Sequence, residues 1–336
     1  MSKNILITGG AGYIGSHIYL SLFRNNYNPI ILDNFSRSNL NTINCLELIT
    51  KSKVKYKNED VRNKKEVIEL INKNKIEAII HLAAFKSIEE STKKPELYYN
   101  NNVLGLRSLL DSLENTDCRN IVFSSSASVY IDDNNHNRLF QEDDSLSFKN
   151  PYAKSKLECE MLIQEYSARH KVDYSILRYF NPAGSDSSNM IGEFSNINSA
   201  NLFPNIARVA TNKNKYLKVF GNDYDTNDGF AIRDYIHITD LSEGHISALE
   251  FLLDNKKCEI FNLGSGIGYS VMQVIKKYES ILNKNINIKF YPRRNGDSAS
   301  VLADISKAKN ILNWQPKKNL TDMCLSSWLW ECKSDS

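Results

Sequence analysis

Short β-branched apolar runs alternate, in the first half of the chain, with segments whose apolar positions recur near the helical repeat. Each run is bounded by polar residues or glycine, which is typical of buried strands. The predicted strands are Ile5–Thr8, Ile30–Asp33, Val54–Tyr56, Ala78–Leu82, Ile121–Ser124 and Ser175–Phe180. The helical segments are Gly12–Asn25, Lys64–Asn72, Glu96–Leu113 and Tyr152–His170. This alternation predicts an α/β fold with a doubly wound parallel sheet.

The alternation becomes looser after Asn181, where loops rich in Gly, Ser, Asn and Asp separate the apolar segments. Helices are predicted at 239–254 and 270–282, and strand-like runs occur at 235–238 and 259–263. We therefore expect a first domain over residues 1–180 and a smaller C-terminal α/β lobe over 181–336. The segments near 235–265 fit either of the two.

The composition excludes several classes of protein. The chain has 336 residues, 41% of them hydrophobic, and no apolar stretch approaches the roughly 18 residues of a membrane span. Its net charge of +3 is spread without a long basic block, so neither nucleic acid nor a membrane is an expected partner. The six cysteines form no C-x-x-C pair, and no metal site is expected. The N-terminus lacks the pattern of a signal peptide, which favours the cytoplasm.

A glycine-rich turn joins the first predicted strand to the first helix. Gly10, Gly12 and Gly15 satisfy G-x-G-x-x-G, and Gly9 adds the spacing G-x-x-G-x-x-G. Glycines there allow a tight turn and close approach of a pyrophosphate to the amide groups of the helix N-terminus. Asp33 ends the second strand, where a carboxylate can accept hydrogen bonds from a ribose and repel a 2′-phosphate. A Rossmann-like fold that binds NAD is the resulting prediction.

Two alternatives to this interpretation remain open. A glycine-rich surface turn followed by a strand-end aspartate would show the same letters without binding a cofactor. Arg37, close to Asp33, could bind a phosphate and so weakens the preference for NAD over NADP.

A serine-rich strand end and a Tyr-x-x-x-Lys motif suggest an acid/base pair. Ser124 to Ser126 close the fifth predicted strand, and Tyr152 and Lys156 are four residues apart at the start of a helix. That spacing places both side chains on one helix face, where an ammonium group can stabilise a phenolate and lower the tyrosine pKa. Ser126 would hold the reacting oxygen. The motif also arises by chance in a chain this rich in Tyr and Lys, so a purely structural role stays possible.

With these elements in order, the chain resembles the extended short-chain dehydrogenases/reductases, and more closely the UDP-glucose 4-epimerases. The resemblance covers essentially the whole length. Matching stretches are Thr8–His17, His81–Lys86, Phe123–Tyr130, Pro151–Lys156, Leu177–Pro182, Phe220–Tyr224, Arg233–His237 and Arg293–Asp297. Ile131 departs from the family, which usually has Gly there, so the loop Asp132–Asn137 is expected to differ in shape.

The resemblance implies roles for matching positions. The residues that would line NAD are Gly9, Gly12, Tyr13, Ile14, Gly15, Asp33, Asn34, Asp60, Val61, Leu82, Ala83, Ala84, Lys86, Asn101, Tyr152, Lys156 and Phe180. The residues that would hold a UDP-sugar are Lys86, Ser126, Tyr152, Asn181, Asn201, Leu202, Phe220, Arg233, Tyr235, Arg294, Asp297 and Val301. Arginines suit a diphosphate because their forked donors are permanently charged, although each alone fits a surface salt bridge.

Such enzymes keep NAD through a cycle that oxidises the sugar at C4 to a ketone and reduces it from the other face. The related 4,6-dehydratases carry an acid pair after the strand-end serine, where this chain has Ala127 and Ser128. We therefore expect simple epimerisation at C4, with a dehydratase-like enzyme or a dinucleotide-sensing regulator as alternatives.

Two further expectations concern substrate size and assembly. Val301 falls where glucose-restricted epimerases carry Tyr, so N-acetylhexosamine substrates are expected to fit as well, unless a neighbouring residue closes the pocket. The family forms homodimers, and Leu106, Leu109, Leu110 and Leu113 provide an apolar face that could pair with a second subunit. Burial of that face within one chain would explain the same pattern.

Overall fold

The computed structural model describes residues 2–131, 138–194, 201–294 and 296–334. The predicted loop Asp132–Asn137 lies outside the described residues. The strands of the described part are β1 (Asn4–Thr8), β2 (Asn28–Asp33), β3 (Lys55–Asn58), β4 (Ala78–His81), β5 (Asn120–Ser126), β6 (Leu139–Phe140), β7 (Asp173–Tyr179), β8 (Asn181–Ala183), β9 (Leu217–Phe220), β10 (Ile232–His237), β11 (Glu259–Leu263), β12 (Gly268–Ser270), β13 (Ile288–Tyr291) and β14 (Ser300–Ala303).

Helices connect most of these strands. They are α1 (Tyr13–Arg24), α2 (Asn41–Thr50), α3 (Lys64–Lys73), α4 (Ile88–Lys93), α5 (Pro95–Tyr98), α6 (Leu104–Leu113), α7 (Pro151–His170), α8 (Leu202–Ala210), α9 (Ile238–Asn255), α10 (Val271–Leu282), α11 (Ser306–Ile311) and α12 (Leu320–Lys333). None of the helices in the described residues is long and apolar enough to cross a membrane.

The first compact unit comprises residues 1–131, 145–178 and 242–261. Its seven-stranded sheet has the order β11-β7-β5-β4-β1-β2-β3, and the ladders from β5 through β3 run parallel. Ile5, Leu6 and Ile7 in β1 are fully buried, as expected for a central strand covered on both faces. From β1 the chain first adds strands on one side of the sheet (β2, β3) and then on the other (β4, β5), so the strand order switches between β1 and β4. Ligands of doubly wound sheets bind at such a switch point.

The second compact unit comprises residues 179–241, 262–336 and the described part of 132–144. Its main sheet has the order β12-β10-β14-β6, with β8 paired to β10, and a small separate sheet joins β9 to β13. Helices α8, α10 and α12 pack together around an apolar cluster that includes Phe203, Tyr278 and Met323.

The division of the chain follows one of the two alternatives left open for the segments near 235–265, and it differs from the expected one in a segment before Ser145. The boundary falls after Arg178, two residues before the predicted end at 180, but residues 242–261 belong to the first unit. The apolar face of α9 explains the return, because Leu249 and Leu252 are fully buried. A segment ending at Asp144 joins the second unit, since β6 pairs with β14.

The predicted helix Glu96–Leu113 is interrupted by a π-helix over Tyr99–Val103. Asn102 in this turn donates to Phe85 O at 3.1 Å and to Ser155 Oγ at 3.0 Å, while Cys159 Sγ donates to its carbonyl at 3.4 Å. The π-helix therefore coincides with hydrogen bonds that join Asn102 to the segment after β4 and to α7.

The apolar face considered for a second subunit lies in the protein core. Leu106, Leu109, Leu110 and Leu113 are each exposed by 1% or less and belong to the cluster that covers the sheet. Of the two interpretations of this face, burial within one chain is the one observed. These four leucines cannot contact another subunit.

Candidate active site

The glycine loop has no room for a side chain at Gly9 or Gly15. A Cβ on Gly9 would lie 2.8 Å from Ala83 N, and one on Gly15 would lie 2.4 Å from Gly9 O. Gly12 caps α1 with no side-chain hydrogen bond to the first turn, so no side chain of the cap covers the first amide groups. Such a helix start is a ready anion site. The loop therefore fits the pyrophosphate of a dinucleotide.

Asp33 is oriented by the same loop. Its Oδ2 accepts from Ala11 N at 3.0 Å, and its Oδ1 accepts from Phe35 N and Ser38 Oγ, both at 2.8 Å. Each carboxylate oxygen has two acceptor sites, so the group retains capacity for ribose hydroxyls. Arg37 instead donates from Nη2 to both carboxylate oxygens of Glu90, at 2.8 and 3.0 Å. A 2′-phosphate would have to compete with that carboxylate, which supports the preference for NAD.

Other expected cofactor residues lie on neighbouring strand ends. Asn34 donates to Asp60 Oδ2 at 2.8 Å, and Arg62 beside that carboxyl lowers its pKa to about 2. Val61, next to Asp60, is buried. This arrangement brings together residues that follow β2 and β3.

The segment after β4 lies against the glycine loop. Thr8 Oγ1 accepts weakly from Leu82 N at 3.3 Å and Ala83 N at 3.4 Å. Lys86 Nζ lies 6.0 Å from the centre of the Tyr13 ring, at the start of α1. Two of the remaining expected cofactor residues of this unit, Ile14 and Ala84, are half-buried. A third, Asn101, donates a hydrogen bond to Asn102 Oδ1 at 3.0 Å.

Ser126 and Tyr152 meet at the end of β5. Ser126 is the last residue of that strand, and Tyr152 is the second residue of α7, whose N-cap Asn150 accepts from Ala153 N. Burial raises the pKa of Tyr152, whereas a hydrogen bond with Ser126 and the charge of Lys86 lower it. The phenol thus has a hydroxyl partner and a nearby ammonium group, as an acid/base residue requires.

Lys156 is oriented differently from the expectation. Its Nζ donates to Ser124 O at 2.6 Å and lies 5.0 Å from the centre of the Phe123 ring. Burial lowers its pKa to about 8. In this structure the ammonium group of Lys156 contacts the end of β5, and the charge of Lys86 lowers the pKa of the Tyr152 phenol.

In the second unit, four of the expected substrate residues lie on β10 or on strands that pair with it. Arg233 is the register partner of Val301, and Tyr235 is the register partner of Asn181. Partners in a parallel ladder, and residues two apart in one strand, point to the same face of the sheet. Residues separated by more than 100 positions in the sequence therefore share one face.

Three further expected substrate residues form a second group in this unit. Arg294 donates to Asp297 Oδ2 at 3.0 Å, and its guanidinium carbon lies 5.0 Å from the centre of the Phe220 ring. Asn295, between Arg294 and Asp297, lies outside the described residues. The group is held by side-chain contacts of the kind that orient an arginine toward an anion.

The other expected residues of this unit start α8 or follow β7. Asn201 is the N-cap of α8 and donates to Glu193 Oε1, and Leu202 packs against the apolar cluster of the unit. Phe180 is buried and donates its amide to Leu263 O at 3.1 Å. Asn181 is exposed at the start of β8.

The sequence interpretation missed two residues in this unit. Tyr224 is 4% exposed, its hydroxyl has no hydrogen-bond partner among the described residues, and Arg293 lies 4.2 Å from its ring centre. Asp234 is fully buried and accepts from Ser265 N at 2.6 Å and Ala303 N at 3.2 Å. Both residues lie in stretches that carried the family resemblance, so the resemblance was the sequence signal that could have identified them. Among the described residues, no group of His, Cys, Asp and Glu could hold a metal ion.

Comparisons with known proteins agree with this geometry. The family profile described as GDP-mannose 4,6 dehydratase matches residues 6–326. The UDP-glucose 4-epimerase of Bacillus subtilis (strain 168) is 41% identical over 97% of this chain and 96% of its own length. A crystal structure of UDP-glucose 4-epimerase from Stenotrophomonas maltophila, with bound NAD and formylated UDP-arabinopyranose, is 36% identical with a TM-score of 0.96 and covers 99% of each chain.

A third relative is named for two sugar substrates. The structure of the UDP-Glc/GlcNAc 4-epimerase from Campylobacter jejuni is 34% identical, has a TM-score of 0.84, and covers 99% of this chain and 100% of its own. The nearly complete coverage in every comparison matches a resemblance that runs from the glycine loop to Asp297. The chain belongs to the extended short-chain dehydrogenase/reductase family, and within it to the UDP-glucose 4-epimerases.

Proposed function

We propose that this protein is an NAD-dependent epimerase that inverts C4 of a UDP-hexose and interconverts UDP-glucose and UDP-galactose. The observation that carries the proposal is the pairing of the Ser126 hydroxyl with the Tyr152 phenol at the carboxyl end of β5. That edge of a doubly wound sheet is where ligands bind. The relatives named UDP-glucose 4-epimerase support the same assignment.

NAD, when bound, supplies a hydride acceptor that also serves as the donor for the return step. The glycine loop fits its pyrophosphate because a Cβ at Gly9 or Gly15 would collide with backbone atoms. Asp33 would accept hydrogen bonds from the adenosine ribose. Lys156 and Tyr152 would contact the ribose near the reacting ring.

Tyr152 would remove the proton of the sugar 4-hydroxyl as the C4 hydrogen leaves with its electron pair. The hydride goes to the acceptor that NAD would supply, and a 4-keto sugar and a protonated phenol remain, so charge and electrons balance. Ser126 would donate to the reacting oxygen, and Lys86 would favour the phenolate through its charge. In the return step Tyr152 gives the proton back, and hydride reaches the other face of C4.

Inversion requires the ketose to turn while its diphosphate stays bound. Arg233 and Arg294 carry permanent charges and forked donors, and Phe220 and Asp297 hold the Arg294 guanidinium by stacking and a hydrogen bond. These side chains would anchor the diphosphate. The sugar is then free to present either face.

A dehydratase would need an acid after the strand-end serine to eliminate water. Ala127 is nearly buried, and the Ser128 hydroxyl donates to Ser126 Oγ at 2.9 Å. Neither side chain is an acid of carboxylic strength. This supports epimerisation over the dehydration that the name of the family profile suggests.

We infer that UDP-N-acetylhexosamines are substrates too. Val301 is half-buried and shares its sheet face with Arg233 and Tyr235. Valine leaves more room than tyrosine beside the sugar C2. The Campylobacter jejuni relative, a UDP-Glc/GlcNAc 4-epimerase, supports the wider range.

We also propose a cytoplasmic homodimer that serves galactose metabolism. Leu97, Tyr99, Leu104 and Met161 are exposed on α5, the π-helix, α6 and α7, which pack together. Exposed apolar side chains on neighbouring helices are typical of an interface. A second copy of this chain would cover them, and light scattering coupled to gel filtration measures whether the mass is that of two chains.

The test of the proposed activity is incubation of the purified protein with UDP-glucose and NAD, followed by proton NMR of the C4 epimers. Appearance of UDP-galactose supports the proposal. A parallel reaction with UDP-N-acetylglucosamine tests the substrate range. Formation of a 4-keto-6-deoxy sugar would favour a dehydratase, and no conversion of either sugar would contradict the proposal.

A further inference from the structure

A buried ion pair lies beside the elements that carry Ser126, Tyr152 and Lys156. Arg178 in β7 and Glu160 in α7 are each exposed by 2% or less. The guanidinium donates through Nε to Glu160 Oε1 at 3.1 Å and through Nη2 to Oε2 at 2.7 Å. Burying two charges is unfavourable unless their geometry is well satisfied. Glu160 also acts on Lys156 through its charge, so the pair adjoins the groups in the roles proposed above.

Two more buried side chains complete this cluster. Ser125 in β5 donates its hydroxyl to Glu160 Oε1. Tyr130 accepts from Arg178 Nη1 at 3.2 Å, and its ring centre lies 5.0 Å from the guanidinium carbon. We call Ser125, Tyr130, Glu160 and Arg178 the α7 clamp. It joins β5, α7 and β7 by directional bonds.

The clamp is linked by the chain to each proposed catalytic residue. Ser125 directly precedes Ser126, and Glu160 lies four residues after Lys156 and eight after Tyr152 on the same helix. At about 1.5 Å per residue, Glu160 is roughly 6 Å and 12 Å along the axis from those residues. Fixing Glu160 against Ser125 therefore fixes the start of α7 against the end of β5.

We propose that the α7 clamp is a positioning device, which keeps Tyr152 beside Ser126 for the epimerisation proposed above. Apolar packing resists separation but permits a helix to slide or rotate by a fraction of an ångström. A bidentate pair fixes two atoms of Glu160 at once, so it opposes both movements. Displacements of about 1 Å at reacting groups can cost about 100-fold in rate, which makes such precision useful.

The first test compares two buried serines of the same sheet. Ser125→Ala removes one bond of the clamp without leaving a charge unpaired. Ser175→Ala is the matched control, because Ser175 is fully buried in β7 and its hydroxyl donates to Ala248 O at 3.3 Å, outside the clamp. We expect Ser125→Ala to lower kcat about tenfold. Both KM for UDP-glucose and bound NAD should stay within about twofold, and the control should leave kcat unchanged.

The pH profile supplies a readout that a loss of stability alone would not move. Besides burial, three groups act on the Tyr152 phenol: Ser126 in β5, Lys86 after β4 and Cys159 in α7 itself. Loosening β5 against α7 displaces Ser126, whose hydrogen bond lowers the phenol pKa. The acid limb of kcat should therefore move to higher pH in Ser125→Ala and stay in place in Ser175→Ala.

A double variant separates positioning from stability. Glu160→Met with Arg178→Met removes the polar bonds of the pair without leaving a buried charge, and such replacements often preserve stability. We expect a melting temperature near that of the wild type and a kcat that remains at least tenfold lower. Recovery of wild-type kcat in the double variant, or equal kcat in the two serine variants, would overturn the proposal.

The wild-type reaction distinguishes this proposal from the function on which it rests. If the wild type converts UDP-glucose and Ser125→Ala does so equally well, with an unshifted acid limb, only the clamp proposal fails. If the wild type converts neither UDP-sugar, the proposed function fails and the clamp proposal fails with it.

Discussion

Gly15→Ala tests whether the loop before α1 is shaped by the absence of a side chain. The added Cβ would lie 2.4 Å from Gly9 O and 2.6 Å from Gly10 Cα. Both contacts are to backbone, so no side chain can rotate away. Because carbon and carbonyl oxygen normally approach no closer than about 3.3 Å, the loop must open by about 1 Å.

The magnitude follows from what the opening disrupts. The Gly9 carbonyl accepts from Gly12 N at 3.2 Å, and losing that bond costs about 0.5–1.5 kcal/mol. Forcing an extra carbon into a packed site costs about 1–3 kcal/mol more. The total of about 1.5–4.5 kcal/mol corresponds to a melting temperature lower by roughly 2–6 °C for a chain of 336 residues. An opened loop also no longer presents its amide groups to a pyrophosphate, so bound NAD should fall by about tenfold or more.

Gly105→Ala is the matched control. Gly105 lies in α6, where an added Cβ would meet Val61 Cγ1 at an ordinary 3.4 Å. Replacing a helix-interior glycine by alanine stabilises by about 0.5–1 kcal/mol. The assay is calorimetry of each purified variant with chromatographic measurement of the NAD that it releases on denaturation. If Gly15→Ala retained both wild-type stability and NAD content, the reasoning from close backbone approach would be refuted.

Three further predictions concern the reaction. Tyr152→Phe should lower epimerase turnover by at least 100-fold while bound NAD is retained, because general acid–base catalysis contributes about 100- to 10,000-fold; unchanged turnover would remove Tyr152 from the mechanism. Val301→Tyr should lose conversion of UDP-N-acetylglucosamine and keep conversion of UDP-glucose. NMR measures both conversions, with Val301→Ala as the control. Equal losses on both sugars would contradict the pocket argument. Turnover should rise with pH as the Tyr152 phenol deprotonates. Ser126→Ala removes the hydrogen bond that lowers the phenol pKa, so in this variant the rise should occur at higher pH. A rise that occurs at lower pH would contradict the prediction.

The first unit was largely predictable because its signals are local. The strands β1, β2, β4 and β5 are continuous apolar runs, and the glycine loop follows β1 directly, so periodicity and turn chemistry were sufficient. Strands β6 and β14 have two and four residues and pair with each other across more than 150 positions. Such short segments carry no periodic signal, and their pairing is fixed only by the folded chain.

The interior polar contacts were harder to predict. Arg178 falls inside a predicted buried strand, and an arginine in such a place signals a buried partner. Nothing in the spacing identifies Glu160 as that partner, because the two lie on different elements. The orientation of Lys156 toward Ser124 O depends likewise on the packing of α7 against β5.

The return of residues 242–261 to the first unit has a consequence for synthesis on the ribosome. The first unit cannot be completed until Phe261 has been made, because β11 forms the edge of its sheet beside β7. At translation rates of about 5–20 residues per second, the 83 residues from Tyr179 to Phe261 take roughly 4–17 s to add. During that interval the edge of β7 opposite β5 is unpaired, which is the kind of surface that other nascent chains can join. Slow passage through this stretch would therefore favour misassembly, and binding of a chaperone to β7 would counter it.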